Sequence, residues 1–588
     1  MKKMFLICAL LGVVHCFRAQ NSLLQTDDFA ELTDTKPHDN EKVWSEIPTI
    51  PQISWGSIDI RYPKLSVPQL AKTSRWQGKA WKGERINAQA VIWTKTDLKN
   101  VTLALSDLKN GSACIPVSAS KVSFVRYVMT DELSKDRSTG CGHRENKAEW
   151  DSCLVADILD NIKVKNVKAC TAQPIWVNIW VPQETKPGKY KGILTISGEN
   201  FKSMQLQLEV EVLNRALPEP KDWKFHLDFW QNPYAVARYY KVPLWSQAHF
   251  DAMRPIMKML ADAGQSVVTT SIMHKPWAGQ TEDHFDSMVG KIKKVDGTWT
   301  YDYSVFDRWV EFMMNEIGIK EQISCYTLIP WALNFDYYDQ ATNRVLFIQA
   351  KPGDVLYADY WGSFLKDFAS HLKSKGWFNK TTISMDERKM EDMQEAIKVI
   401  KRADPDFKIA LAGTYHDEIQ VDLYDYSIAY GVQFPAEVRA ERAKQGKVSS
   451  VYTCCAEALP NIFTFSPPAE ANWTFWHVAA GHYDGFLRWA WNSWTKDPLR
   501  DSRFRTWAAG DCYQIYPGPR SSIRWERVIE GIQDVEKIRI LRKEFEQKNK
   551  TKQLEKLNNM VSRFVHENLT SVNAADMVNA GKEVLNSF

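Results

Sequence analysis

The sequence lacks several features that would settle a function early. It has no basic block: 75 Lys+Arg stand against 71 Asp+Glu, a net of +4 spread along the chain. Nucleic-acid tracks need clustered cations to meet phosphates, so no nucleic-acid partner is expected. Past the first residues there is no apolar run near the ~20 residues that span a bilayer, so no membrane span is expected either. Cysteines number ten, and none stands with histidines at a zinc spacing, so neither a metal nor a cofactor is implied. Residues 20–52 carry no helical or strand period and are expected to form a polar arm.

What is present starts with Met1-Lys-Lys, an apolar run from Met4 to Val14, and Phe17-Arg-Ala-Gln20. A charged start with a short apolar core predicts an export signal at 1–19, cut after Ala19, and a periplasmic or secreted protein. Lipid attachment at Cys16 is the lesser option, because His15 before it is bulky. Exported chains pair cysteines, and Cys141, Cys153 and Cys170 share one polar segment where a bridge is expected. Cys454-Cys455 lies on an apolar, strand-like run, where burial accounts for it.

From 53 to 214 the pattern is that of short strands. Gln89–Thr94, Val101–Leu105, Ile175–Val181 and Tyr190–Ser197 are β-rich, and Gln205–Val212 alternates strictly between polar and apolar. A β-sandwich of accessory character is expected. Leu217-Pro-Glu-Pro-Lys marks a linker at 215–222. The grammar then changes to alternating strands and helices, the pattern of a parallel sheet.

Eight strand candidates follow: Trp223–Trp230, Ser266–Met273, Gln322–Ile329, Thr381–Met385, Phe407–Gly413, Tyr426–Tyr430, Val448–Cys454 and Gly485–Trp491. Helical stretches at Phe250–Ala263, Val305–Ile317, Tyr360–Lys375 and Ala471–Ala480 separate several of them. Eight in sequence predict a (β/α)₈ TIM-type barrel over 223–548. The stripe Ile529, Ile532, Val535, Ile538 and Leu541 predicts a helix that closes it, and 549–588 a charged helical extension.

One stretch organises the rest: Thr381-Thr-Ile-Ser-Met-Asp-Glu-Arg-Lys-Met390. A β-rich run ends in adjacent carboxylates, Asp386 and Glu387, before a helix with Met390, Met393, Ile397 and Ile400 on one face. Barrels carry their reacting groups at strand ends. Two close carboxylates repel, so one tends to keep its proton while the other is charged, the division of labour of a glycosidase. Helix capping is the plain alternative. The other strand ends weigh against it: Asp228-Phe-Trp-Gln-Asn-Pro-Tyr234, Met273-His-Lys-Pro-Trp277, Pro330-Trp331, Thr414-Tyr-His-Asp-Glu418 and Arg488-Trp-Ala-Trp-Asn-Ser-Trp494. Tryptophan walls with amide and imidazole groups suit a sugar ring, and Trp is abundant here, at 24.

These motifs carry a resemblance. Asp228-Phe-Trp-Gln-Asn-Pro, Met385-Asp-Glu, Leu487-Arg-Trp-Ala-Trp-Asn-Ser-Trp, Tyr516-Pro-Gly-Pro, Ser522-Ile-Arg-Trp-Glu and Glu530-Gly-Ile-Gln-Asp resemble, in that order, glycoside hydrolase family 123. The resemblance implies an exo-acting β-N-acetylgalactosaminidase, a retaining enzyme in which the substrate's own 2-acetamido oxygen attacks the anomeric carbon. It implies that Asp386 orients that acetamide and that Glu387 is the acid and later the base. Tyr415 is the candidate for holding the acetamide oxygen. His416, His274, Asn232, Trp489, Trp491 and Asn492 are candidates for sugar contacts, placed from strand ends. Two other readings stay open: a conventional two-carboxylate glycosidase with a nucleophile among Asp228, Asp417 and Glu418, and an inactive glycan-binding protein.

Overall fold

The computed structural model describes residues 29–34, 41–131, 152–505 and 507–588; the export signal and Cys141 lie outside them. Residues expected as a loose arm are docked. Trp44 is buried, Arg126 forms a 2.7 Å ion pair with Glu31, and Arg500 donates to the Ala30 carbonyl at 2.8 Å.

The N-terminal part is two mostly antiparallel sheets, one of six strands and one of seven. Their inner faces share one core, in which Ile92 and Ile175 of one sheet meet Leu194, Leu206 and Val210 of the other. The alternating segment lies within the strand Phe201–Ala216, with Leu206, Leu208, Val210 and Val212 buried between exposed or half-buried polar neighbours. The six-stranded sheet takes its last strand, Ser521–Ser522, from far along the chain.

The second part is a nearly closed eight-stranded parallel barrel, consistent with the TIM type. Its strands are β1 (His226–Phe229), β2 (Val267–Ser271), β3 (Gln322–Tyr326), β4 (Thr381–Asp386), β5 (Lys408–Gly413), β6 (Asp425–Ala429), β7 (Val448–Tyr452) and β8 (Gly485–Arg488). Neighbours pair in chain order, β8 pairs β1, and a single parallel bridge, Leu227 to Gln265, joins β1 to the segment before β2. All eight fall on the expected runs.

On β4 the alternation is chemical. Ile383 and Met385 are fully buried, while Thr382 and Ser384 belong to a polar column with Ser324, at hydroxyl separations of 3.2 and 3.0 Å. Asp386 continues that column by the period of two. The column's lower end holds Asp425, bonded to His226 at 3.1 Å and Gln322 at 2.8 Å.

A four-stranded sheet was not expected: Gly290–Lys293, Trp299–Asp302, Asn334–Asp339 and Arg344–Gln349. It is inserted in the connections that follow β2 and β3. The helix Ile523–Gln547 carries the predicted stripe, but its polar side is buried too. Arg85 pairs with Glu526 at 2.5 Å and Asn87 donates to Glu530 at 2.5 Å, so this helix joins the barrel to the N-terminal sheets. A helical tail follows, ending with Ala574–Leu585. Among the described residues no helix is long and apolar enough to cross a membrane, and no cluster of His, Cys, Asp or Glu could hold a metal.

Candidate active site

Size alone does not select a site. A cleft of about 900 Å³ between the N-terminal sheets and the C-terminal helices is lined mainly by paired charges. A cavity of about 1020 Å³ at the C-terminal end of the barrel strands is lined instead by Trp230, Trp277, Trp331, Trp489 and Trp507, with Asp386 and Glu387 among them. Aromatic walls around a few convergent polar groups are the anatomy of a small-ligand site.

The two acids reach this cavity by different routes. Asp386 ends β4 on the axial face. Glu387 continues the ladder one step, its N–H donating to the Ala412 carbonyl at 3.0 Å, so strict alternation would turn its side chain away. Gly413 on β5 makes room. A Cβ there would lie 2.6 Å from the Glu387 Cβ and 2.9 Å from Oε2, so the carboxylate lies across a position only glycine leaves open. Its oxygens are then held from one side. The Thr414 N–H donates to Oε2 at 2.6 Å, and His416 Nε2 lies 3.2 Å from Oε1.

Asp386 is far less well held. Burial raises its pKa to about 6, opposed by Arg388, 3.8 Å away, and by the nearby Trp277 indole N–H, which closes no well-formed hydrogen bond. The raised value therefore comes from burial; repulsion by Glu387 is not among its causes. Arg388 is itself anchored, donating to the Glu387 carbonyl at 2.6 Å with its guanidinium 4.5 Å from the Trp331 ring centroid. Its Nε and Nη2 groups are buried without hydrogen-bond partners. Polar groups left open beside a cavity are where a ligand's own donors and acceptors fit.

Other walls are fixed by their neighbours. Trp230 stacks on Trp277 at 5.1 Å between centroids and lies against Tyr326 at 4.4 Å. Trp489 meets Trp507 edge-on at 5.9 Å, and Trp507 donates to the Gln280 carbonyl at 2.9 Å. Asp511 also lines the cavity, but it is held by Arg488 at 2.5 Å and by the Trp489 indole at 3.2 Å.

Of the residues expected to touch sugar, Trp489 lines the cavity and His416 stands against Glu387. Trp491 does not line it: it is fully buried, packed on Trp525 and Phe229. Asn232 and Asn492 are buried structural partners. The Asn232 N–H donates to Asn492 Oδ1, the Asn492 amide returns the bond to the Asn232 carbonyl, each at 2.8 Å, and Asn232 caps the helix Pro233–Tyr240. His274 sits outside, paired with Asp286 at 2.7 Å. Tyr415 packs on Phe434 and donates to Asp417 at 2.9 Å; it is not in the lining.

Asp228, Asp417 and Glu418 do not line the cavity either. Asp228 is buried in the barrel interior, pushed up to about 7 by burial and by Asp425, and the other two are exposed on the loop after β5. Among the described residues ten tryptophans are fully buried core, so much of the aromatic excess reflects packing. Tyr452, Arg505, Trp507 and Asp511 line the cavity with no local sequence signal to single them out; Arg388, Trp230, Trp277 and Trp331 stand in the quoted strand-end runs. Cys454 and Cys455 also line it, on the loop after β7. Cys455 is disulfide-bonded and Cys170 carries a thiol, while Cys141, one of the three cysteines expected to be bridged, lies outside the described residues.

Comparison with known proteins agrees with this geometry. The family model of the glycoside hydrolase 123 catalytic domain matches residues 230–541, and that of the glycoside hydrolase 123 N-terminal domain matches 55–198. A solved family 123 glycoside hydrolase from Clostridium perfringens, described through its hydrolysis of glycolipid glycans, superposes with a TM-score of 0.81 at 28% identity, over 92% of this chain and 99% of that one. A Bacteroides ovatus xyloglucanase of family 5 and a putative glycoside hydrolase from Bacteroides vulgatus each reach a TM-score of 0.28, at 9% and 11% identity. They cover 78% and 79% of this chain, and 98% and 78% of their own. No curated protein matches in sequence. With the catalytic-domain model spanning more than half of the chain and carrying both acids, the protein belongs to glycoside hydrolase family 123.

Proposed function

We propose that this hydrolase is an exo-acting retaining β-N-acetylgalactosaminidase working on terminal β-GalNAc of glycans or glycosphingolipids, with the substrate's acetamido group as nucleophile. The observation that carries this reading is the pair itself. Asp386 and Glu387 enter the cavity side by side, and the third carboxylate in its lining, Asp511, is ion-paired with Arg488. A conventional retaining enzyme needs two available carboxyl groups about 5–5.5 Å apart on opposite sides of the anomeric carbon. An enzyme whose substrate brings its own nucleophile needs one group to orient the acetamide and one to move the proton, and neighbours suffice.

Asp386 accepts the acetamido N–H and turns the carbonyl oxygen toward the anomeric carbon. That oxygen attacks, the glycosidic bond breaks, and Glu387 gives its proton to the leaving oxygen. A cyclic oxazolinium-type intermediate results. Glu387 then takes a proton from water, which opens the ring with net retention. Stacking on Trp489 or its neighbours supplies sugar affinity. The same reading places the catalytic unit at 223–548 behind an accessory 53–214 unit, and an export signal at 1–19, whose removal N-terminal sequencing of protein recovered from culture would reveal.

The primary test is release of 4-nitrophenol from β-GalNAc, β-GlcNAc and β-galactoside conjugates. Turnover confined to β-GalNAc is expected. Galactoside cleavage would overturn the mechanism, because that sugar has no acetamide. Loss of galactoside activity in variants of Asp228, Asp417 or Glu418 would then favour the two-carboxylate alternative. Sugar binding without turnover on any conjugate would favour the inactive glycan-binding reading.

A further inference from the structure

Among the described residues sixteen large apolar side chains are exposed, and six of them fall between 331 and 356: Trp331, Tyr338, Val345, Phe347, Val355 and Leu356. Scattered singly, such residues need no explanation; gathered in one patch, they mark a contact surface. Their origin is readable strand by strand. In the inserted hairpin Asp336 opposes Phe347 and Tyr338 opposes Val345, so Tyr338, Val345 and Phe347 share one face. The alternate residues Phe335 and Ile348 turn inward, where Phe335 packs on Tyr357, Tyr360 and Trp361. A sheet covered on one side ordinarily shows polar groups on the other. This one shows Tyr338, Val345 and Phe347 beside Asp336 and Gln349. Val355 is 77% and Leu356 51% exposed, in the first turn of the helix Val355–Ser374 that the same hairpin leads into.

The patch is continuous with the mouth of the candidate site. Trp331, 59% exposed, lies between β3 and the hairpin and also lines the cavity. On the other side the His274 ring lies 6.1 Å from Phe347, and its backbone N–H donates to Asp336 at 3.0 Å, three residues before the cavity wall Trp277. Arg344 and Lys351 are exposed at either end of the second hairpin strand.

We propose that this face is a lipid-contacting surface that seats the open end of the site on the layer in which a glycolipid substrate is embedded. The inference rests on the glycosphingolipid part of the proposed function. The sugar of a glycolipid stands close above headgroups and acyl chains, so an enzyme that takes it in place must bring the rim of its pocket down to that layer. Trp and Tyr favour such interfaces because an apolar ring carries a polar tip, and Arg344 and Lys351 have headgroup phosphates within reach of their flexible stems. Val345, Phe347, Val355 and Leu356 supply the area that leaves water.

The test uses the full chain and two double variants, Val345→Ser with Phe347→Ser, and Val355→Ser with Leu356→Ser. Each is assayed on soluble 4-nitrophenyl β-GalNAc and on a β-GalNAc-terminated glycosphingolipid in phosphatidylcholine vesicles, with melting and sedimentation as controls. Both variants should match the parent on the soluble substrate and lose about tenfold on vesicles, the size expected when exposed apolar groups stop being buried. Equal rates on vesicles would overturn the surface. So would a parent that sediments as a dimer and variants that sediment as monomers, since the face would then be covered by a second copy. A parent that cleaves the soluble conjugate but never the vesicle glycolipid would overturn this inference and leave the hydrolase standing; no turnover on either substrate would fell the function itself.

Discussion

Four carboxylates on the helix Ile523–Gln547 are more deeply buried than Asp386, yet their surroundings are opposite. Glu526 has Arg85, Ser521 and the Asn178 amide; Glu530 has Arg527, Lys582 and Asn87. Asp534 has Lys582 at 3.0 Å and the Trp476 indole at 3.1 Å. Glu536 accepts two backbone N–H groups, from Lys224 at 2.6 Å and Phe225 at 2.8 Å. Asp386 has one guanidinium at 3.8 Å. The comparison teaches that acid content and depth do not mark a site. What marks it is an acid whose hydrogen-bonding capacity the protein itself leaves open, beside a cavity.

Breaking either side of this contrast should give distinct signatures. The largest effect is expected from Glu387→Gln, which removes the proton donor and should lower kcat by about 10²–10⁴ with the melting temperature unchanged, as a stopped assay beside calorimetry would show. Arg527→Met should do the reverse. It strands Asp59 in the interior and leaves Glu530 to Lys582 and Asn87, and it should lower stability by about 3–5 kcal/mol in denaturant titration, with kcat of the folded fraction kept. Gly413→Ala pushes a methyl against Glu387 and should reduce kcat by about 10²-fold with little change in KM, since small displacements of a reacting group weigh heavily.

Asp386→Asn sharpens the comparison through stability. The Asp386 pKa is raised from 3.8 to about 6 in the fold, so its ionisation opposes folding between those values and above. The variant should gain about 1–3 kcal/mol at pH 7, with the gain vanishing below the unfolded carboxylate's pKa, while N-acetyl hydrolysis falls. An Asn variant no more stable than the parent at pH 7 would contradict the strained environment. The smallest effect is expected from Arg388→Met. Arg388 lowers the Asp386 pKa, so its removal should move the acid limb of the kcat/KM profile upward in pH.

How much of this was legible follows from which interactions are local. The eight barrel strands and Asp386 at the end of β4 could be read, because a strand's apolar run and its polar stop are written in consecutive residues. The side-by-side entry of Glu387 could not, since it depends on Gly413 of the next strand. Asn232 and Asn492 looked like sugar ligands, being amides at strand ends, but each is the other's partner across 260 positions. The apolar stripe of Ile523–Gln547 could be read, but periodicity assigns only one face to a core. Its other face meets Arg85 and Asn87, which no window of sequence contains.

The same helix has a consequence for how the chain is made. Synthesis delivers the N-terminal sheets first, yet their outermost strand, Ser521–Ser522, and the cation Lys582 that balances Glu530 and Asp534 come hundreds of residues later. The early sheets must therefore wait on the ribosome, a strand short and with the Asn87 amide N–H still without Glu530, until nearly everything else has emerged. Expressing residues 53–214 alone would freeze the protein at that unfinished stage.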